Sequence, residues 1–329
     1  MANDVALQTT APLFVASLRR VVVAGARAGD TLDRHVVLAC ASPSAMSLCE
    51  GLGLGSRCLL DDAMALHNGS MAFHSSGFFM IGFAKINLPA TFLPPSFNRL
   101  ATNLPPSCHL PCRYILNAVS LGIDVIFMDT DIVVFSDFVP HVLSMGSDMA
   151  AMVEKCRVID DRRSYTGMDV RAVPFFNIGV TYFRGTPGVV RCVYNWLFDM
   201  WSEVQGDRAK VWDQDTYKKV MLHCVKAYSL RWQALSPRHL NSYCYKPCGC
   251  DYSDGDVLER PEEDLRPAPF ASKADGGTCA AHAVSRWMLM HFPCGGEAAH
   301  KRELMDKYAR MWEHATASSG SESSSSSFP

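Results

Sequence analysis

The chain has 329 residues, enough for one large domain or two small ones, and its 48% hydrophobic and 19% charged content predicts a sizeable buried core. Lys and Arg number 31 against 33 Asp and Glu, so no basic field directs it to nucleic acid or to an anionic membrane surface. The densest uncharged apolar stretch, "GFFMIGFA" at 77–84, is far too short to cross a bilayer, and the N-terminal residues lack the basic, apolar and small-residue order of a cleaved signal.

In chain order, "HVVLACASPSAMSLCEGLGLGSRCLL" predicts a strand over 35–39, a turn at Ser42 and Pro43, a helix, and a strand near 58–60, a βαβ unit. "PCRYILNAVSLGIDVIFMDTD" repeats the scheme. Its apolar residues Tyr114, Ile115, Ala118, Val119 and Leu121 fall at helical spacing, Gly122 stops the helix, and a strand follows. "SDMAAMVEK" and "FNIGVTYFRGT" predict two more strands, Pro187–Gln205 a helix with Pro in its first turn, and "WDQDTYKKVMLHCV" a helix opened by Asp213. The alternation predicts one α/β domain over 1–315 with a mostly parallel central sheet flanked by helices. Residues 253–278, acidic and rich in Pro and Gly, read as an inserted surface loop, and the serine-rich 316–329 as a disordered tail.

The 13 cysteines include a group, Cys244, Cys248, Cys250, Cys279 and Cys294, on both sides of the insert. Their clustering predicts at least one disulfide and an oxidising compartment. A zinc site is the alternative, although CxxxC and CxC spacings are not paired CxxC knuckles. Cys40, Cys49, Cys156, Cys192 and Cys224 lie inside apolar patterns, where buried free thiols acting as small apolar residues stay open as well.

The run "VIFMDTDIVVF" at 125–135 sets Asp129 and Asp131 among branched and aromatic residues, a costly arrangement unless something cationic meets them. Ligands of open parallel sheets gather at the carboxyl ends of the strands, and carboxylates one residue apart face the same way on an extended chain. The pair therefore fits a divalent cation with hard oxygen ligands, and through it a diphosphate. The same D-x-D-x-[TV] pattern fits a haloacid-dehalogenase-like phosphatase, with Asp129 as nucleophile and Asp131 as general acid.

Four motifs in order, over roughly 36–312, widen the comparison. "LGIDVIFMDTDIVVFSDF", "FFNIGVTYFRGTP", "WDQDTYKKV", and "CAAHAVSRW" with "GGEAAHKRELMDKYARMW" resemble, segment by segment, the plant and algal nucleotide-diphospho-sugar transferase family that includes arabinosyl- and xylosyltransferases. The resemblance implies a GT-A-like fold and a metal-dependent, retaining transfer of sugar from a nucleotide-diphosphate donor, a UDP-sugar, to a glycan or glycoprotein acceptor. It further implies Mn²⁺ or Mg²⁺ held by Asp129, Asp131 and His282, catalytic roles for Asp213, Gln214 and Asn177, and substrate binding by Asp129, Gly179, Arg113 and Lys301. A Golgi or other secretory-pathway lumen is implied on the same ground. So is a first strand, with any anchor, upstream of Met1, because "MAN" matches the family's residues directly after that strand. Three positions depart from the family: Val284 stands where it has Asn, Arg113 where it has Lys, and Ser242 follows Asn241 where it has Gly. A non-catalytic carbohydrate- or protein-binding module that kept the fold is the alternative these departures favour. Simpler roles also fit the residues one by one: Asp213 as helix N-cap, Asn177 as turn cap, Gly179 as a close-packing strand residue.

Overall fold

The structure is a computed structural model that describes residues 3–60, 114–153, 164–165, 176–205, 213–243 and 281–322. The insert at 253–278, Arg113, Cys156, the cluster Cys244 to Cys279 and residues 323–329 lie outside the described residues.

The N-terminal unit begins with α1 (Asp4–Gln8) and α2 (Ala11–Arg20). Asn3 caps α1, its side chain accepting from Ala6 N at 2.9 Å. Next come β1 (Leu38–Cys40), α3 (Pro43–Gly51) and β2 (Cys58–Leu60), the predicted βαβ unit, with β1 and β2 parallel. Ser42 caps α3 by accepting from Ala45 N, and Pro43 occupies the first turn.

The central part runs α4 (Tyr114–Ser120), β3 (Val125–Met128), β4 (Ile132–Val134), α5 (Val139–Ser144), β5 (Met149–Val153), β6 (Ser164–Tyr165) and β7 (Phe176–Phe183). It continues with α6 (Pro187–Gln205), α7 (Asp213–Ala227), β8 (Trp232–Leu235), β9 (Leu240–Ser242), α8 (Ala281–Val284), β10 (Leu289–His291) and α9 (Ala298–Glu322). Gly122, at φ +77°, ends α4 in the left-handed region that favours glycine. Helix α9 carries on to Glu322, so seven residues of the segment expected as a disordered tail are helical.

Among the described residues the strands form a five-stranded sheet in the order β3-β7-β5-β8-β6 and a three-stranded sheet in the order β4-β10-β9. The α/β class holds, but the sheet is mixed where a mostly parallel one was expected. Strand β7 runs antiparallel to both β3 and β5, and the parallel pairs among the described residues are β5·β8, β9·β10 and β1·β2. Alternate residues of β5 feed two cores, Met149, Ala151 and Val153 on one face and Ala150 and Met152 on the other, as the two-residue period of a strand requires. Helices α4, α6 and α7 cover the first face, while the N-terminal unit, the three-stranded sheet and α9 cover the second.

Two disulfides fasten these layers. Cys49–Cys58 joins α3 to β2, and Cys192–Cys224 joins α6 to α7 across 32 residues. These two bridges engage three cysteines for which free thiols stood open, Cys49, Cys192 and Cys224, while Cys40 is buried and free. Burial pushes the Cys40 thiol up to about 11, which leaves it inert near neutral pH. Cys294, one of the five residues flanking the insert, is also disulfide-bonded. Closing a loop of the Cys192–Cys224 size is worth about 3–4 kcal/mol through the unfolded chain. Urea unfolding of a Cys192→Ala/Cys224→Ala double variant is expected to show a loss of that order, and the wild type, whose other disulfides are also reduced, should lose at least as much on reduction.

Candidate metal centre

The aspartates do not sit within one continuous strand. The run 125–135 breaks after Met128, so β3 belongs to the five-stranded sheet and β4 to the three-stranded one, with Asp129, Thr130 and Asp131 at the seam. Each aspartate's backbone is pinned to a different side of that seam. Asp129 N donates to Gly179 O of β7 at 2.8 Å, and Phe292 N, just beyond β10, donates to Asp131 O at 2.9 Å. The break lets both half-buried carboxylates leave the apolar run while the chain on either side stays paired.

The third member is His291, the last residue of β10, paired with Ile132 of β4 and Ser242 of β9. It is 2% exposed. Its Nε2 lies 3.2 Å from Asp131 Oδ1 and 3.7 Å from Asp129 Oδ2, and neither ring nitrogen has a hydrogen bond of good geometry. Ligand atoms of Asp129, Asp131 and His291 all fall within 4.8 Å of one another. Buried polar atoms are normally satisfied, so an imidazole left this way beside two carboxylates fits a cation. Two carboxylates and one imidazole suit Mn²⁺ or Mg²⁺ and leave positions open for further oxygen ligands.

A fourth group supplies charge. Lys301 Nζ lies 2.7 Å from Asp131 Oδ2. It comes from α9, where Lys301, Leu304, Met305 and Tyr308 share one stripe at helical spacing, and Leu304, Met305 and Tyr308 are buried. Tyr308 packs on Phe292 and Trp287, and Trp312 stacks on Phe135, with ring centroids 5.6, 6.0 and 5.6 Å apart. That aromatic cluster fixes the helix that delivers the ammonium. Burial pushes the Asp131 carboxyl up, but the charge of Lys301 with its hydrogen bond, and the adjacent His291 imidazole, outweigh it and hold the group well below the ordinary value of 3.8.

Strand β7 shapes the other wall. Ala151 of β5 pairs with Thr181 and Met152 with Asn177, so Ile178, Gly179 and Val180 bulge away from β5. Side chains take up the freed amides: Gly179 N donates to Asn177 Oδ1 at 2.8 Å and Ile178 N to Gln214 Oε1 at 3.2 Å. A Cβ on Gly179 would lie 2.0 Å from His291 Cε1 and 2.5 Å from its Nδ1, so only glycine leaves room for the imidazole at this position.

Asp129, Asp131, Lys301 and Gly179 thus converge, and Asn177 and Gln214 join them through the backbone of β7. Asp213 lies buried at the start of α7, its carboxylate accepting from Gln214 N at 3.0 Å and its carbonyl from Trp196 Nε1 at 3.1 Å. His282 falls on α8, but its side chain lies outside the described residues. The histidine that meets the aspartates among the described residues is His291, which the sequence reading passed over. Its signal was the one already used for the aspartates: a single ionisable residue in the apolar run "WMLMHF", which a core tolerates only with a partner.

The model of the nucleotide-diphospho-sugar transferase family matches residues 110–305. The chain belongs to that family. The match encloses the seam, the bulge, His291 and Lys301, and it sets aside the phosphatase reading of the same motif, so this member of the family is read as a glycosyltransferase. Among solved structures, mouse xyloside xylosyltransferase 1 in its apo form is similar at 13% identity over 89% of this chain and 94% of that one, with a TM-score of 0.41. No curated protein sequence matches.

The transferase should show its charge pairing in acid. Asp131 has a depressed carboxyl pKa, so its contribution to stability is complete above the unfolded value of 3.8 and is lost as pH falls below that through the folded value. Replacing Lys301 by Met removes the strongest favourable cause and leaves two carboxylates facing each other, at a cost of roughly 2 kcal/mol. In metal-free protein, the acid-unfolding midpoint of Lys301→Met is expected at higher pH than that of wild type. Added Mn²⁺ should raise the variant's melting temperature at pH 7.

Proposed function

We propose that this transferase moves a sugar from a nucleotide-diphosphate donor, a UDP-sugar, to a glycan or glycoprotein acceptor with retention at the anomeric carbon, using Mn²⁺ or Mg²⁺. The observation that carries the reading is the Asp129–Asp131–His291 triangle, with Lys301 2.7 Å from one of its carboxylates. A divalent cation bound there supplies charge neutralisation for the departing nucleoside diphosphate.

The chain's own residues do the rest. Asp129 and Asp131 give the cation two negative ligands, and His291 gives a neutral one whose ring is fixed on Gly179. Lys301, whose ammonium lies 2.7 Å from Asp131, would supply a second positive charge for the diphosphate. A preorganised pair of positive charges in a half-buried site stabilises developing phosphate charge better than water does. Asp213, at the N-terminus of α7, is assigned to the sugar or acceptor on the family resemblance. Arg113 is assigned to the diphosphate and His282 to the donor pocket on the family resemblance alone.

The cysteines support a lumenal site of action. Cys49–Cys58, Cys192–Cys224 and a bonded Cys294 fit the oxidising secretory pathway, the Golgi among its compartments. Among the described residues no helix is long and apolar enough to cross a membrane.

The test is release of UDP from a panel of UDP-sugars by purified protein with Mn²⁺, with and without an acceptor. Wild type should turn over at least one donor and lose activity in EDTA. Asp131→Asn should cut the rate by about 100-fold or more, since the cation contributes several kcal/mol to leaving-group stabilisation. EDTA-insensitive turnover unchanged in Asp131→Asn would contradict the reading.

A further inference from the structure

The bulge in β7 raises a question that the transfer reaction does not answer. An interior strand of a five-stranded sheet, second in order, gives up the pairing of Ile178, Gly179 and Val180 with β5, and all three residues are buried. Buried backbone N–H groups freed from a ladder need other acceptors. The chain meets that need with two side-chain amide oxygens, one from Asn177 within the bulge and one from Gln214 on another element. On its other edge β7 keeps its register with β3 as far as Met128↔Val180, and Gly179 O takes the Asp129 N–H at 2.8 Å. Thr181 Oγ1 donates to Ile178 O at 3.0 Å and closes the turn. The bulge is therefore held at four points, and its apex, Gly179, lies against the imidazole of His291.

We infer that Gln214 is a positioning residue for the metal ligand His291, acting through the Ile178 N–H and the seat that Gly179 forms for the imidazole. The inference rests on the metal-dependent reading above. Its geometry distinguishes it from a direct role on the sugar: the Gln214 amide oxygen is taken by Ile178 N at 3.2 Å, one residue from the glycine that faces the ring. Without that acceptor, the buried Ile178 N–H must find another, and the most accessible route is to re-pair with β5, which straightens the strand. A straightened strand moves the Gly179 carbonyl from Asp129 and its Cα from His291, so one change disturbs two of the three ligands. Groups that orient metal ligands from behind commonly change affinity by about 10- to 100-fold when removed.

The experiment is Mn²⁺ titration of the full chain without donor, followed by the EPR signal of the free ion. Wild type should bind. Gln214→Met, which keeps the volume and removes the acceptor, should weaken Mn²⁺ binding by about tenfold or more. Gln214→Glu keeps an acceptor oxygen at the same reach and should bind Mn²⁺ close to the wild-type affinity. Gly179→Ala, which strikes the same link by steric overlap with His291, should weaken binding at least as much as Gln214→Met. Gln214→Met binding Mn²⁺ as tightly as wild type would overturn the inference and return Gln214 to the substrate side. Gln214→Glu binding tenfold more weakly than wild type would also overturn it, and this comparison decides alone if Gln214→Met does not fold. Wild type that takes up no Mn²⁺ would instead overturn the metal reading, and this inference with it.

Discussion

Two carboxylates one residue apart in an apolar run repel each other and resist burial, and the architecture around the seam answers that single constraint. The chain changes sheets between Met128 and Ile132, which brings Asp129 and Asp131 to an edge that neither sheet closes. Positive charge then has to be delivered from elsewhere. Lys301 provides it from α9 and His291 provides a ligand from β10, so groups separated by 160 or more positions in sequence meet at one point. The buried ion pair adds little net stability, because desolvation offsets much of what the pairing contributes. Its significance is that removing one side leaves the other costly, which keeps the cluster together.

The supporting structure is arranged to hold those groups rather than merely to surround them. Strand β10 is the middle strand of its sheet, antiparallel to β4 and parallel to β9, so His291 has little freedom to retreat. Helix α9 is fixed by aromatic contacts of Tyr308 and Trp312, which aim the Lys301 face of the helix at the seam. The disulfide between α6 and α7 stiffens the layer behind β7, and Trp196 of α6, donating to Asp213 O and Thr216 Oγ1, holds the helix end that carries Gln214. Rigid elements of this kind suit a site whose chemistry depends on charges being in place before the leaving group departs.

Much of this was legible in the sequence, and the gaps have physical causes. Long periodic elements were clear: the helix Pro187–Gln205 and the start of the helix at Asp213 fall where the pattern put them. The aspartate pair announced itself because two charges in "VIFMDTDIVVF" have no structural excuse. The strand break between them did not, since both halves are apolar and a residue-by-residue pattern looks the same in one strand as in two. Strand direction was hidden for a similar reason: buried parallel and antiparallel strands can share the same apolar composition, and β7 runs against both neighbours. Cys192 and Cys224 sit at buried helix positions that a small apolar residue would also fill, so their pairing is visible only once the two helices are packed. The family resemblance points to His282, whereas His291, a histidine in an apolar strand, poses the same question as the aspartates.

Pulsed EPR of the Mn²⁺-loaded protein tests the central claim, that Asp129, Asp131 and His291 together form the cation site, most directly. Nitrogen modulation from a coordinated imidazole should appear in the wild type and vanish in His291→Gln, while Asp131→Asn weakens Mn²⁺ uptake. Absence of nitrogen modulation in the wild type, or its persistence in His291→Gln, would contradict the account.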